Sequence, residues 1–172
     1  MIKSASIWVK TCLDIIPKSY KKVALDLACG YGRHSIILAQ KGYKVISADL
    51  NLNCLRSFNE ESILRVQANI EKSKQWPFLQ ESFDLIVVTN FLNRKLFKNI
   101  ETSLKKGGYL IYETFDIGHE KFGKPSNKKY LLLKNELLSL TNNLQLEIYE
   151  EIKVESKNAK FIKNRILCKY VW

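Results

Sequence analysis

The chain has few of the residues that build metal sites, disulfide frameworks or rigid loops. Its 172 residues include two histidines, three prolines and four cysteines. Cys12, Cys29, Cys54 and Cys168 are scattered, and no two have C-x-x-C spacing. With His34 and His119 as the only imidazoles, the sequence predicts no zinc site and no disulfide framework. Reduced cysteines packed in the core of a cytoplasmic protein are the simpler reading. No stretch approaches the roughly 20 apolar residues of a membrane span. Residues 1–10 lack the long apolar core and cleavage-like end of a signal peptide, so a cytoplasmic protein with no membrane partner is expected. Acidic residues are also scarce, 17 against 28 lysines and arginines, for a net charge of +11. The excess is mostly lysine, spread along the chain and not interleaved with aromatics in one block. A nucleic-acid partner stays open but is not favoured.

What is present is an ordinary core. Hydrophobic residues make up 46% of the chain, which argues against bulk disorder. The length suits a single domain over 1–172, and there is no internal repeat or linker. Residues 4–16 read as a helix stopped by Pro17. Val23–Leu27 is a short continuous apolar run, the pattern of a strand buried on both faces. His34–Lys41 reads as a helix ended by Gly42, Tyr43–Ala48 as a strand, and Asn51–Asn59 as a helix that Asn51 can cap. Ile63–Gln67 and Phe83–Thr89 are strands, and a helix is expected around Lys95–Lys105. Gly107-Gly108 is expected to break that helix before a strand over Tyr109–Thr114. Residues 115–130 read as a loop and Lys134–Thr141 as a helix. Gln145–Val154 and Phe161–Val171 read as a closing antiparallel pair. Strands alternating with helices, then a strand pair, predict a doubly wound α/β sheet. It would have about seven strands, mostly parallel, with helices on both faces.

The chemistry concentrates at the first strand–turn–helix junction, Val23-Ala-Leu-Asp-Leu-Ala-Cys-Gly-Tyr-Gly-Arg-His-Ser35. Gly30 and Gly32 can adopt backbone conformations that side chains forbid and let a ligand lie against the main chain. Ala28 keeps the entrance narrow, and Asp26 can accept hydrogen bonds and shape the turn. The helix start offers unpaired amides. Asp49, after the next strand, can take both hydroxyls of a ribose, so a nucleoside-sized site is predicted. The third glycine of the dinucleotide fingerprint is replaced by Ser35, and no Gly-Lys-Ser/Thr follows. A pyrophosphate cradle is therefore not expected. Asp49 could alternatively be a helix cap, Asn69 a turn former, and Tyr31 a surface residue.

Asp26-Leu-Ala-Cys-Gly-Tyr-Gly32 followed by Asp49 resembles motif I and the acidic residue after strand two of class I S-adenosylmethionine-dependent methyltransferases. Gln67-Ala-Asn69-Ile70 resembles the segment that reaches the adenine amino group, although Asn69 stands where Asp is usual. Phe83–Thr89 with Asn90-Phe91-Leu resembles motif IV. Leu104-Lys-Lys-Gly-Gly-Tyr-Leu-Ile resembles the "L-x-P-G-G-x-L" segment, with Lys106 in place of proline. Asn90–Arg94, Tyr112–Phe115, Phe122–Asn127 and Leu133–Leu138 are similar to a small bacterial subgroup loosely related to tellurite-resistance and thiopurine-type methyltransferases. The resemblance implies S-adenosyl-L-methionine as cofactor, leaving S-adenosyl-L-homocysteine as product. It implies a cofactor site formed by Asp26, Ala28, Gly30, Tyr31, Gly32, His34, Asp49, Leu50, Asn69, Ile70, Asn90 and Phe91. The N-terminal helix, within residues 1–17, would pack on or over that site.

The expected activity is methyl transfer to a small-molecule acceptor. An in-line displacement needs alignment and a dry pocket from the protein. A base is needed only if the acceptor arrives protonated. Glu113, Arg94 and His119 are the candidate catalytic residues. Glu113 could position or deprotonate an acceptor, or pair with Arg94 or Arg33. Arg94 could hold an anion or form a structural ion pair. His119 lies in a loop that could cover the acceptor. Amino-group methyltransferases acting on nucleobases or glutamine amides typically carry Asn/Asp-Pro-Pro-Tyr/Phe after strand four; here Thr89-Asn-Phe-Leu92 stands there. An RNA- or ribosome-associated methyltransferase, and a regulatory protein that binds the cofactor without turnover, are the alternatives. The sequence does not indicate an oligomeric state.

Overall fold

The structure is a computed structural model that describes residues 4–17, 22–72, 75–157 and 159–171. The first three residues of the expected N-terminal segment lie outside the described residues.

Among the described residues seven strands form one sheet: β1 (Val23–Leu27), β2 (Lys44–Asp49), β3 (Ile63–Gln67), β4 (Phe83–Thr89), β5 (Leu104–Phe115), β6 (Gln145–Glu155) and β7 (Lys160–Lys169). Their order is β3-β2-β1-β4-β5-β7-β6. The first five run parallel, and β7 inserts antiparallel between β5 and β6. The helices are α1 (Ile7–Ile15), α2 (Arg33–Gln40), α3 (Leu52–Arg56), α4 (Phe97–Ser103) and α5 (Glu136–Leu140). This is the doubly wound, mostly parallel sheet with a closing antiparallel pair that the strand pattern predicts.

Side chains alternate across the sheet because successive strand residues face opposite sides. Leu85 and Val87 join one core with Trp8, Val9, Cys12 and Leu13 of α1 and Leu38 of α2. Ile86 and Val88 join the other with Phe97 and Ile100 of α4 and Leu137 of α5. All four cysteines are free and buried. Among the described residues no helix is long and apolar enough to cross a membrane.

Two expectations change. The glycine pair does not break the chain between helix and strand: Gly107 and Gly108 lie inside β5. The backbone passes so close there that a Cβ on Gly108 would sit 2.8 Å from the Lys105 carbonyl and 3.0 Å from that of Phe83. The β4–β5 register shifts between Phe83 and Leu85. The glycines serve a close strand approach. The N-terminal helix also starts later than its apolar pattern suggests. Ser6 is extended, and Ser4–Ser6 crosses non-helically toward the ends of the central strands.

The strand order places the functional crevice. The chain runs outward from β1 to β2 and β3, then returns to β4 and continues the other way through β5. The β1–β4 boundary is where an open parallel sheet leaves a crevice outside its carboxyl ends.

Candidate functional site

The loop after β1 forms one wall of that crevice. Ala28, Gly30 and Gly32 all take left-handed backbone conformations, with φ of +54°, +55° and +71°. The Gly30 N–H donates to Asp49 Oδ2 and the Asn51 N–H to Asp49 Oδ1, both at 2.8 Å. The last residue of β2 thus holds the turn after β1. Asn51 in turn caps α3, accepting from the Asn53 and Cys54 amides. The two glycines have different reasons. A Cβ on Gly30 would meet nothing within 4 Å, so the turn faces open space there. A Cβ on Gly32 would lie 2.5 Å from the Phe58 ring, so Gly32 is required by packing.

Behind the turn runs a buried hydrogen-bond chain. Ser47 Oγ donates to Ser35 Oγ at 2.7 Å, and Ser35 Oγ donates to Asp26 Oδ2 at 2.6 Å. The register that puts Asp26 beside Ser47 makes this possible. Burial pushes the Asp26 carboxyl up to about 7, against the opposing effect of its hydrogen bonds from Ser35. His34, the next residue along α2 from Arg33, is buried too. Desolvation lowers its pKa to about 3, so it is neutral at pH 7. The Ser6 N–H donates to His34 Nε2 at 3.1 Å. An amide can only donate, so Nε2 is unprotonated and Nδ1 carries the hydrogen, 3.3 Å from Thr89 Oγ1.

These two groups oppose each other in the pH dependence of stability. Asp26 binds more protons folded than unfolded between about 4 and about 7, so it lowers stability as pH rises through that range. His34 binds fewer folded than unfolded between about 3 and 6.5, so it raises stability as pH rises. Between about pH 4 and 6.5 the two slopes largely cancel. Denaturant unfolding at a series of pH values should therefore give a steeper rise with pH for Asp26→Asn than for wild type. His34→Gln should shift the slope the other way, each by up to about 1.4 kcal/mol per pH unit. Parallel profiles for all three proteins would refute the assigned protonation states.

The loop after β4 forms the other wall. Asn90 has φ of +56°, and its N–H donates to the Glu113 carbonyl at 2.8 Å. The Phe91 carbonyl accepts from Tyr112 Oη at 2.8 Å. Along the rim, Leu50 and Tyr31 expose their side chains, while Ile70 is buried. Asn69 Oδ1 accepts from the Lys72 N–H at 3.1 Å, as a turn former does.

Two of the three catalytic candidates, Arg94 and His119, are engaged in structural contacts. Arg94 donates to both oxygens of Glu136 at 2.6 and 2.8 Å and to the carbonyls of Lys129 and Leu131. A guanidinium so bonded ties the 128–136 segment to the β4 loop and has no fork left for a substrate anion. His119 is buried, and its ring stacks on Phe115 with centroids 4.1 Å apart. Its Nδ1 accepts from the Ile162 N–H and its Nε2 sits 3.1 Å from the Lys124 carbonyl, so both nitrogens are engaged. His119 docks its loop against β7.

Glu113 does face the crevice side, but its partners are neither Arg94 nor Arg33. Its Oε1 accepts from Lys163 Nζ at 2.8 Å and its Oε2 from Ser6 Oγ at 3.1 Å, with Arg165 Nη1 at 3.9 Å. Lys163 Nζ also donates to Asn90 Oδ1 at 2.7 Å. Lys163, Arg165 and Ser6 were not expected at the site. The signal for the first two was present in Phe161-Ile-Lys-Asn-Arg165, where two cations stand two positions apart. Cations at every second position of a strand share one face.

Comparison with known proteins adds family to this geometry. A family profile described as "Methyltransferase domain" matches residues 24–108, from β1 into β5. The "Probable S-adenosyl-L-methionine-dependent methyltransferase TehB" of Haemophilus influenzae is 29% identical over 159 residues, 85% of this chain and 54% of that protein. The chain is similar to class I S-adenosylmethionine-dependent methyltransferases over this segment and in its fold. The crystal structure of Haemophilus influenzae TehB superposes with a TM-score of 0.70 at 26% identity, covering 94% of this chain and 61% of that one. The "Ribosomal protein L11 methyltransferase" of Campylobacter concisus is 35% identical over 111 residues, 59% of this chain and 38% of that protein. The chain spans from about two fifths to about half the length of these curated relatives.

Proposed function

We propose that the chain transfers a methyl group from S-adenosyl-L-methionine to a small-molecule acceptor. The observation that carries this reading is the Asp49 clamp. A carboxylate has about four acceptor sites. Two are used by the Gly30 and Asn51 amides, which fix the carboxylate's orientation, and the remainder suit a ribose diol. The open space before Gly30 leaves room for a ligand against the main chain. The donor set fits a nucleoside. When bound, S-adenosyl-L-methionine supplies an electrophilic methyl on a sulfonium sulfur.

The chain's own residues do the rest. Asp49 holds the ribose, and the Ala28–Gly32 main chain and the α2 amino terminus form the wall. Asn69 and Ile70 edge the adenine, with Asn69 supplying its side-chain amide. Tyr31 and Leu50 flank the rim. His34 is neutral and adds no cation beside a cationic donor. Asn90 and Phe91 form the wall nearest the acceptor. Glu113 acts by holding Lys163 and Ser6 in place.

Incubating the chain with methyl-labelled donor and a panel of thiols, metalloid oxyanions, small acids and bulk tRNA tests the reading. Label should move to a member of the small-molecule set. Transfer confined to tRNA would replace the acceptor class. Binding without transfer to any member would favour a regulatory role. The net charge of +11 supports the nucleic-acid alternative. In that case RNA affinity would fall steeply with salt.

A further inference from the structure

A cavity of about 280 Å³ lies beside the donor crevice, and Asn90 and Arg33 line it. Arg33 follows the Gly32 turn directly and Asn90 follows β4, so anything in the cavity is next to the donor's wall. The cavity's charge is unbalanced. Arg33, Lys163 and Arg165 line it against a single carboxylate, Glu113. Glu113 is shared between Lys163 and Arg165, and Arg165 has a second partner in Glu150, with Nε donating at 2.8 Å. Arg33 makes a 3.3 Å bond to the Ser4 carbonyl and has no ion pair among the described residues. One guanidinium therefore points to an anion that the described residues do not supply.

The walls add a second requirement. Ile7, Trp8, Ile152 and Phe161 line the same space. The Arg165 guanidinium stacks over the Trp8 ring at 4.8 Å and Lys163 Nζ lies 5.4 Å from the Phe161 centroid. Ligand pockets of about 300–1,000 Å³ hold drug-sized molecules. This one is at the lower edge of that range, so its occupant is small. Ser4–Trp8 forms one side, fastened by the two bonds of Ser6 to His34 and Glu113.

Resting on the proposed methyltransferase activity, we propose that this cavity is the acceptor site. Its occupant is a small organic acid whose carboxylate meets Arg33 and whose apolar body lies along Ile152 and Phe161. A bare inorganic anion leaves the apolar walls unfilled, and a neutral molecule leaves Arg33 unpaired.

The test is calorimetric titration of the chain, saturated with S-adenosyl-L-homocysteine, with 3-phenylpropionate, 3-phenylpropanol, phenethylamine and sulfate. 3-Phenylpropionate should bind about 10-fold or more tighter than the alcohol and than sulfate, the range of a hydrogen bond to a charged group. Arg33→Gln should remove that preference while S-adenosyl-L-homocysteine binds within about two-fold of wild type. Ile152→Glu, which adds a second carboxylate to the cavity, should weaken the acid and spare the nucleoside. Equal affinity for acid and alcohol, or for acid and sulfate, overturns the proposal. So does an Arg33→Gln variant that loses the nucleoside but keeps the acid, because Arg33 would then serve the donor's own carboxylate. Failure to bind S-adenosyl-L-homocysteine at all would instead strike at the methyltransferase activity itself.

Discussion

Asp49→Ala should weaken S-adenosyl-L-homocysteine binding 10- to 100-fold, about 1.4–2.8 kcal/mol. Two losses combine. The ribose diol loses a charged acceptor, worth about 1.5–3 kcal/mol in a protein. The turn also loses its fastening, because Gly30 and Asn51 both donate to this carboxylate. Asp49→Asn separates the two. An amide oxygen can still accept one of these bonds, so Asn should fall between Ala and wild type. Thermal unfolding should change little in comparison, since Asp49 is at the sheet's edge of the crevice and not in a core cluster. Equal affinity in wild type and Asp49→Ala would remove the ribose assignment.

Gly32→Val should destabilise the fold by about 2–4 kcal/mol, the range of overpacking added to left-handed strain. At φ of +71° a β-branched residue is strained before it touches anything. Its Cβ would then overlap the Phe58 ring, with three ring carbons within 2.6 Å. Phe58 is buried in the core that includes Leu55 and Val45, so the ring cannot swing aside freely. For a chain of this size the change corresponds to a melting temperature lower by about 5–15 °C. Gly30→Ala is the informative comparison. It has the same kind of positive φ but open space before it, so it should cost about 1 kcal/mol of stability. It should still impair nucleoside binding, because its methyl enters the space a ligand would use. Equal destabilisation by the two substitutions would show that the glycines do not divide their roles between packing and ligand.

Much of this was legible in the sequence because the relevant patterns are local. Val23–Leu27 is apolar except for Asp26, and it is the central strand of the parallel part of the sheet. The glycines and Asp49 are separated by one helix and one strand, so a βαβ unit brings them together by its usual handedness. Asn51 caps its helix as its residue type suggests. What the sequence left open has long-range causes. Gly107-Gly108 looked like a break because part of its reason lies on another strand, in the Phe83 and Asp84 carbonyls that join Lys105's own in crowding Gly108. Arg94 finds its partner 42 residues away in Glu136. His119 is fixed by Ile162, 43 residues on. The Glu113–Lys163–Arg165 cluster depends on the β5–β7 register, which sets Glu113 opposite Arg165. A reading of one sequence places Glu113 at a strand end but cannot find what an antiparallel strand 50 residues later will set against it.

The account rests on the crevice between β1 and β4 binding a nucleoside that carries the methyl group. Calorimetric titration of the wild-type chain with S-adenosyl-L-homocysteine tests this most directly. The predicted result is saturable binding of one molecule per chain with Kd in the micromolar range, about 8 kcal/mol. Adenosine alone should compete and S-adenosyl-L-homocysteine should bind more tightly. No saturable binding up to millimolar concentration, in a chain whose unfolding transition shows it to be folded, would contradict the account.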